Sequence, residues 1–167
     1  MTVPGAIRHL QTGDLPALND IYNHYILTSP VTFDIAPKTI DEREAWARQF
    51  ETTGRHQCFV ALEEEALLGW ACSGPFRPKA AYETSVEVSI YLGPQAGGRG
   101  LGSILYERLF AALEGENVHR ALAGITVPNP ASLALHRRFG FIDVGTYSEV
   151  GQKFDHYWDV LWMEKRL

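Results

Sequence analysis

The sequence predicts a single mixed α/β domain organised around a central sheet. Three observations carry that reading. Residues 84–92 alternate strictly, with Val86, Val88, Ile90 and Leu92 on one side and Ser85, Glu87, Ser89 and Tyr91 on the other, the period of a strand. A glycine-rich stretch, residues 93–102, follows and leads into Leu101, Ile104, Leu105, Leu109 and Leu113, which form one buried stripe on a helix. Strand-like and helix-like segments fill the chain in the order β-α-α-β-β-β-α-β-α-β-β.

The elements follow in turn. Ala6–His9 is a short first strand. Leu15, Leu18, Ile21, Tyr22, Tyr25 and Ile26 recur at helical spacing behind Asp14, a candidate cap, and predict a helix to about Thr28. Residues 29–37 hold two prolines and form a loop. Thr39 with Glu42 makes a capping box for a second helix that carries Trp46 and Phe50 on one face and ends near Gly54. Residues 56–62 and 67–73 are apolar runs joined by three glutamates, the pattern of a hairpin. Residues 74–81 are a loop and 121–127 a further strand. Asn129 caps a helix with Pro130 at its first position and Gly140 as its stop. Residues 141–147 and 154–163 supply the last strands.

Composition narrows the function. At 167 residues, 46% apolar and 21% charged, the chain can bury a sizeable core. Its net charge of −5, from 15 Lys plus Arg against 20 Asp plus Glu, argues against nucleic acid or an acidic membrane as a partner. The start, MTVPGAIRHL, lacks the features of a secretory signal, and no apolar run approaches the roughly 20 residues that span a bilayer. A cytoplasmic protein is expected. Cys58 and Cys72 fall in strand-like segments and read as core residues, and six scattered histidines show no ligand spacing, so no metal is expected.

The most informative segment is Gly97-Gly98-Arg99-Gly100-Leu101-Gly102, between a strand and a helix. A phosphate needs several backbone N–H groups aimed at one point, with no side chains in the way. Glycine permits the turn, the helix adds the positive end of its dipole, and Arg99 adds a cation. A P-loop would end in Gly-Lys-Ser/Thr, which is absent. A dinucleotide fingerprint would sit in the first strand-to-helix turn, whereas this one follows four strands. A glycine-rich turn with no ligand is the competing reading, and the neighbouring residues decide against it.

With these residues in view, the sequence resembles the GNAT superfamily of acetyltransferases, and within it the phosphinothricin and methionine sulfoximine acetyltransferase branch. The resemblance runs through Ile21-Tyr22-Asn23-His24-Tyr25-Ile26, Thr28-Ser29, Val31-Thr32-Phe33, Gly74-Pro75-Phe76-Arg77 and Val86-Glu87-Val88-Ser89-Ile90-Tyr91. It continues through the glycine loop, Asn129-Pro130-Ala131-Ser132, Leu135-His136, Gly140-Phe141, Gly151-Gln152-Lys153-Phe154 and Trp158-Asp159. It implies a mixed, mostly antiparallel sheet of about seven strands flanked by about four helices. It also implies a splayed strand pair, with a bulge in the strand that ends near Leu92. Acetyl-coenzyme A is the implied co-substrate. Gly97, Gly98, Arg99, Gly100, Leu101, Gly102 and Ser103 would hold its diphosphate; Val88, Ser89 and Ile90 its pantetheine arm; Asn129 and Ser132 would touch it further on. Gly97 departs from the family pattern, which has Gln or Arg there. A homodimer is implied as well.

Acetyl transfer to an amine requires a base, a donor for the thioester oxygen and a way to release the thiolate. Glu87, on the polar side of its strand, is the candidate base. By position alone it reads better as a surface carboxylate or an ion-pair partner; the resemblance reverses this and implies the base. His136 is either an acid or proton relay, or a structural helix histidine, and both readings stand. The backbone N–H of Val88 or a near neighbour is the expected donor to the thioester oxygen. Arg77, with Lys79 close by, could hold a carboxylate or phosphinate bidentately or be a solvated charge. Phe33 and Tyr82 are candidate apolar walls, while Tyr25 reads as core. Lys153 and Phe154 are expected at a substrate wall or a dimer edge.

The resemblance implies a small-molecule amine acceptor: a glutamate-like amino acid with a tetrahedral polar head, such as phosphinothricin, methionine sulfoximine or methionine sulfone. A protein or peptide acetyltransferase, with an open groove, and a non-catalytic coenzyme-A-binding module are the alternatives. The loop at residues 29–37, suited to closing over a small ligand, ranks the first reading above the peptide enzyme, and Glu87 and His136 beside the coenzyme motifs argue against the non-catalytic module.

Overall fold

The computed structural model describes residues 5–167. The elements are β1 (Ala6–His9), α1 (Leu15–Thr28), α2 (Ile40–Ala47), β2 (Cys58–Glu63), β3 (Ala66–Pro75), β4 (Ser85–Leu92), α3 (Leu101–Leu113), β5 (Arg120–Val127), α4 (Pro130–Arg138), β6 (Ile142–Lys153) and β7 (His156–Arg166). Seven strands form one sheet in the order β1-β2-β3-β4-β5-β7-β6. Every neighbouring pair is antiparallel except β4–β5.

That parallel pair positions everything else. Its ladder is limited to Ser85↔Arg120, Val86↔Ala121 and Glu87↔Leu122, after which the strands diverge. The other edge of β4 stays paired with β3 from Pro75↔Val86 to Gly69↔Leu92 without a register shift. The bulge expected near Leu92 is therefore not present in this pairing, and the splay comes from divergence of two regular strands. The first turn of α3 packs into the divergence: a Cβ at Gly102 would lie 3.1 Å from Leu135 and 3.6 Å from Ile90.

The alternation in β4 sorts the core into two layers. Val86 and Val88 face α3, with Phe59, Leu105, Tyr106 and Leu109. Tyr91 faces α1 and α2, stacked on Trp70 and close to Tyr22. Cys58 and Cys72 lie opposite one another in the β2–β3 register, both buried and free, as their apolar setting predicts.

Local signals hold with instructive exceptions. The capping box forms, with Glu42 N–H donating to Thr39 Oγ1 and Thr39 N–H donating to Glu42 Oε2. The helix it opens stops at Ala47, well short of Gly54, although Trp46 and Phe50 still meet edge to face at 4.8 Å. Asp14 makes no side-chain cap on α1. It already has helical backbone angles, and its carboxylate accepts from Gln11 N–H and Arg8. Phe154 and Asp155, both with φ of 55°, form the two-residue turn between β6 and β7, so Phe154 is on the hairpin tip and not in a strand. Among the described residues, no helix is long and apolar enough to cross a membrane.

Candidate active site

The glycine segment forms an anion cradle at the start of α3. Gly98 and Gly100 adopt φ of 74° and 77°, a left-handed backbone that other residues rarely take. Ser103 and Ile104 donate to Gly100 O, which closes the first turn. The N–H groups of residues 97–102 have no hydrogen-bond partner among the described residues. They stand at the positive end of a 13-residue helix. A Cβ at Gly97 would meet nothing within 4 Å, so the place of the family's Gln or Arg is open space. Arg99 is not a free cation: its guanidinium is paired with Glu63 at the end of β2. Leu101 is fully buried and can offer a ligand only its backbone.

From this cradle a cleft of about 350 Å³ runs between the diverging strands. Val88, Ser89, Ile90, Gly97, Gly102, Asn129, Ser132 and His136 all border it, so residues read from three separate motifs meet in one place. Gly93 N–H donates to Leu68 O on β3, and strand alternation then turns the backbone groups of Val88 and Ile90 toward the gap. Tyr25 lies at the same gap, donating its hydroxyl hydrogen to Leu92 O. These groups fit a diphosphate followed by an extended amide-bearing chain: free donors at one end, an unpaired strand edge along the length.

Glu87 stands where the ladder ends, on the α1–α2 side of β4. Its carboxylate has no hydrogen-bond partner among the described residues. Burial pushes its pKa up, and the Arg77 guanidinium pulls it back only in part. Arg77 lies over the ring of Phe76 at 5.0 Å, and Phe76 meets Tyr82 edge to face at 5.7 Å.

His136 is 3% exposed, with both ring nitrogens engaged. Nδ1 is 2.8 Å from Ser132 O, a carbonyl that only accepts, so Nδ1 carries the hydrogen. Nε2, 2.8 Å from the Tyr106 hydroxyl, then accepts from it. Burial pushes the pKa down and keeps the ring neutral. This environment favours the structural reading of His136 over the acid.

Lys153 differs from expectation. It is 6% exposed, and its ammonium donates to Ser29 O (2.9 Å) and Thr32 O (2.7 Å). It straps the loop at residues 29–37 to the end of β6, whereas Phe154 is exposed at the tip. Phe33 lies against Gly151 on the same hairpin.

A polar cluster went unread in the sequence. Arg43 on α2 is buried between the rings of Tyr22 (4.4 Å) and Trp46 (4.7 Å). Tyr22 donates its hydroxyl hydrogen to Asp34, which also pairs with Lys38 at 3.0 Å. Within Asp41-Glu42-Arg43-Glu44 the arginine looks like one more solvated charge, and no local signal separates it. No group of three or more His, Cys, Asp or Glu placed to hold a metal ion occurs among the described residues.

The sequence pattern of the acetyltransferase (GNAT) family matches residues 18–141, and the chain belongs to that family. It is 53% identical to the phosphinothricin N-acetyltransferase of Streptomyces coelicolor over 156 residues, 92% of this chain and 91% of that protein. It is 32% identical to an L-methionine sulfoximine/L-methionine sulfone acetyltransferase of Pseudomonas aeruginosa, over 97% of this chain and 94% of that one. The crystal structure of a phosphinothricin acetyltransferase from Sinorhizobium meliloti in complex with AcCoA superposes with a TM-score of 0.91 at 30% identity, covering 99% of this chain and 89% of that chain.

Proposed function

We propose that this enzyme moves an acetyl group from acetyl-coenzyme A to the α-amino group of a small amino acid with a tetrahedral polar head, of the phosphinothricin or methionine sulfoximine type. The observation that carries the reading is the end of the β4–β5 ladder at Glu87. The cleft that starts at the glycine cradle is bordered by Val88 and Ser89, the residues that directly follow this unpaired carboxylate of raised pKa. The names of the relatives supply the substrate class.

In this reading the free N–H groups of residues 97–102 hold the diphosphate, and the edge of β4 at Val88 and Ile90 holds the pantetheine arm. Asn129 and Ser132 border the same path. The bound thioester supplies the acyl group. Glu87 removes a proton from the acceptor ammonium, which is the dominant form of an amino acid's amine at neutral pH. A carboxylate with a pKa above the ordinary range is the better base for that step. The amine then forms the C–N bond, the C–S bond breaks, and coenzyme A leaves as a thiolate that takes up the second amine proton. The N–H of Val88, aimed into the gap, donates to the thioester oxygen. Arg77 orients the acceptor carboxylate, and Phe33 and Tyr82 supply apolar walls. His136 holds α4 to α3 through Tyr106.

The reading extends to a single catalytic domain over residues 1–167, a cytoplasmic location and a homodimer. The dimer is supported by β6, an edge strand with Ile142, Val144, Tyr147 and Val150 all more than half exposed, and by Phe154 and Tyr157 beside it. Mass spectrometry of products from a panel of amino acids and short peptides, with acetyl-coenzyme A as donor, tests the acceptor class. Acetylation of peptides in preference to free amino acids sinks it. Light scattering on the eluting protein tests the dimer.

A further inference from the structure

A buried guanidinium is costly unless its hydrogens are satisfied. Arg43 is 4% exposed, yet only its Nε is used, donating to Asn19 Oδ1 at 3.2 Å. No carboxylate lies within 4 Å, and the two terminal nitrogens make no hydrogen bond among the described residues; they are not sealed off from solvent and stay open to an added ligand. Tyr22 and Trp46 cover the guanidinium and leave this fork uncovered, the part that reads an oxyanion.

The fork borders an open pocket of about 480 Å³ between α1, α2 and the α1–α2 side of β3 and β4, with Lys38, Asp34 and Glu42 also on its wall. Asp34 borders the same pocket and attracts Arg43 through space, but it makes no ion pair with the fork: its carboxylate is paired with Lys38 and accepts from Tyr22. Ser89 and Tyr91 wall this pocket and the acyl cleft alike, so the two cavities meet on one stretch of β4. Glu87 is two residues upstream on the same side, about 7 Å along the strand from Ser89.

We infer that Arg43 is a specificity-determining residue whose fork receives the anionic head group, phosphinate or carboxylate, of an acceptor with its amine at Glu87. The inference rests on the acceptor class proposed above and adds to it a place for each charge. The α-carboxylate goes to Arg77 and the distal anion to Arg43. Acceptors with a neutral head gain less from the pocket.

The test compares phosphinothricin, whose head is anionic, with methionine sulfone, whose head is neutral. In Arg43→Met the KM for phosphinothricin rises about tenfold to a hundredfold, as loss of a charge-assisted hydrogen bond predicts. The KM values for methionine sulfone and acetyl-coenzyme A change little, and kcat falls less than KM rises. Arg43→Lys restores part of the difference. Equal changes for the two acceptors, or none, overturn the inference. A second arm needs only the wild-type protein and covers a variant that fails to fold. Labelling of Arg43 by phenylglyoxal, mapped by peptide mass spectrometry, is slowed by phosphinothricin and not by methionine sulfone. Protection by neither, or no labelling of Arg43, overturns it too. If the wild-type protein acetylates no amino acid, the acceptor class itself falls, an outcome distinct from turnover without the Arg43 effect.

Discussion

The ring of Phe33 occupies the space that a β-carbon on Gly151 would need. The loop after α1 thus closes onto the β6–β7 hairpin only because position 151 has no side chain. Gly151→Ala is expected to push Phe33 and its loop away. The KM for the amino-acid acceptor rises several-fold while calorimetric affinity for acetyl-coenzyme A stays within error of wild type.

Lys153 secures the same loop from the other side. Lys153→Met leaves the Ser29 and Thr32 carbonyls without their donor, at a cost of about 1–3 kcal/mol. Thermal unfolding is expected several degrees lower, with the acceptor KM raised. An unchanged melting temperature would remove the strap from this account.

Gly100 holds a left-handed backbone at the cradle. Gly100→Ala adds about 1–2 kcal/mol of strain and places a methyl group beside the diphosphate donors. A loss of about tenfold or more in acetyl-coenzyme A affinity is the expected calorimetric result.

For Glu87 the sign of the pH dependence follows from its environment. Burial raises its pKa, so the base is lost as pH falls through a value above the ordinary carboxylate range. The acid limb of kcat/KM is expected there. Glu87→Gln lowers kcat about a hundredfold or more and leaves coenzyme binding intact. A raised folded-state pKa also means that ionised Glu87 opposes folding. Glu87→Gln is therefore more heat-stable than wild type at neutral pH, and the gap closes at pH values where the carboxyl is protonated in both folded and unfolded chains.

Much of this was legible because the deciding interactions are local. The alternation of β4, the stripe on α3, the Thr39–Glu42 box and the Asn129–Pro130 start involve residues within a turn or two of each other, and all appear as read. The readings that changed depend on distant partners. Lys153 is buried by carbonyls more than 120 residues away. Arg43 is buried by an aromatic ring on another helix. His136 stayed open in the sequence because its partner Tyr106 lies on α3, 30 positions earlier.

Among the described residues, the ladder that joins β1–β4 to the β5-β7-β6 half of the sheet is only three residue pairs long, with Thr84 O at its start accepting from His119 and Arg120 N–H. The sheet is thus two plates, of four strands and three, sharing a short seam, and a molecule lying in the gap stitches them together. Part of its binding free energy becomes resistance to unfolding. A cell rich in the acylated coenzyme would hold a sturdier protein than a starved one.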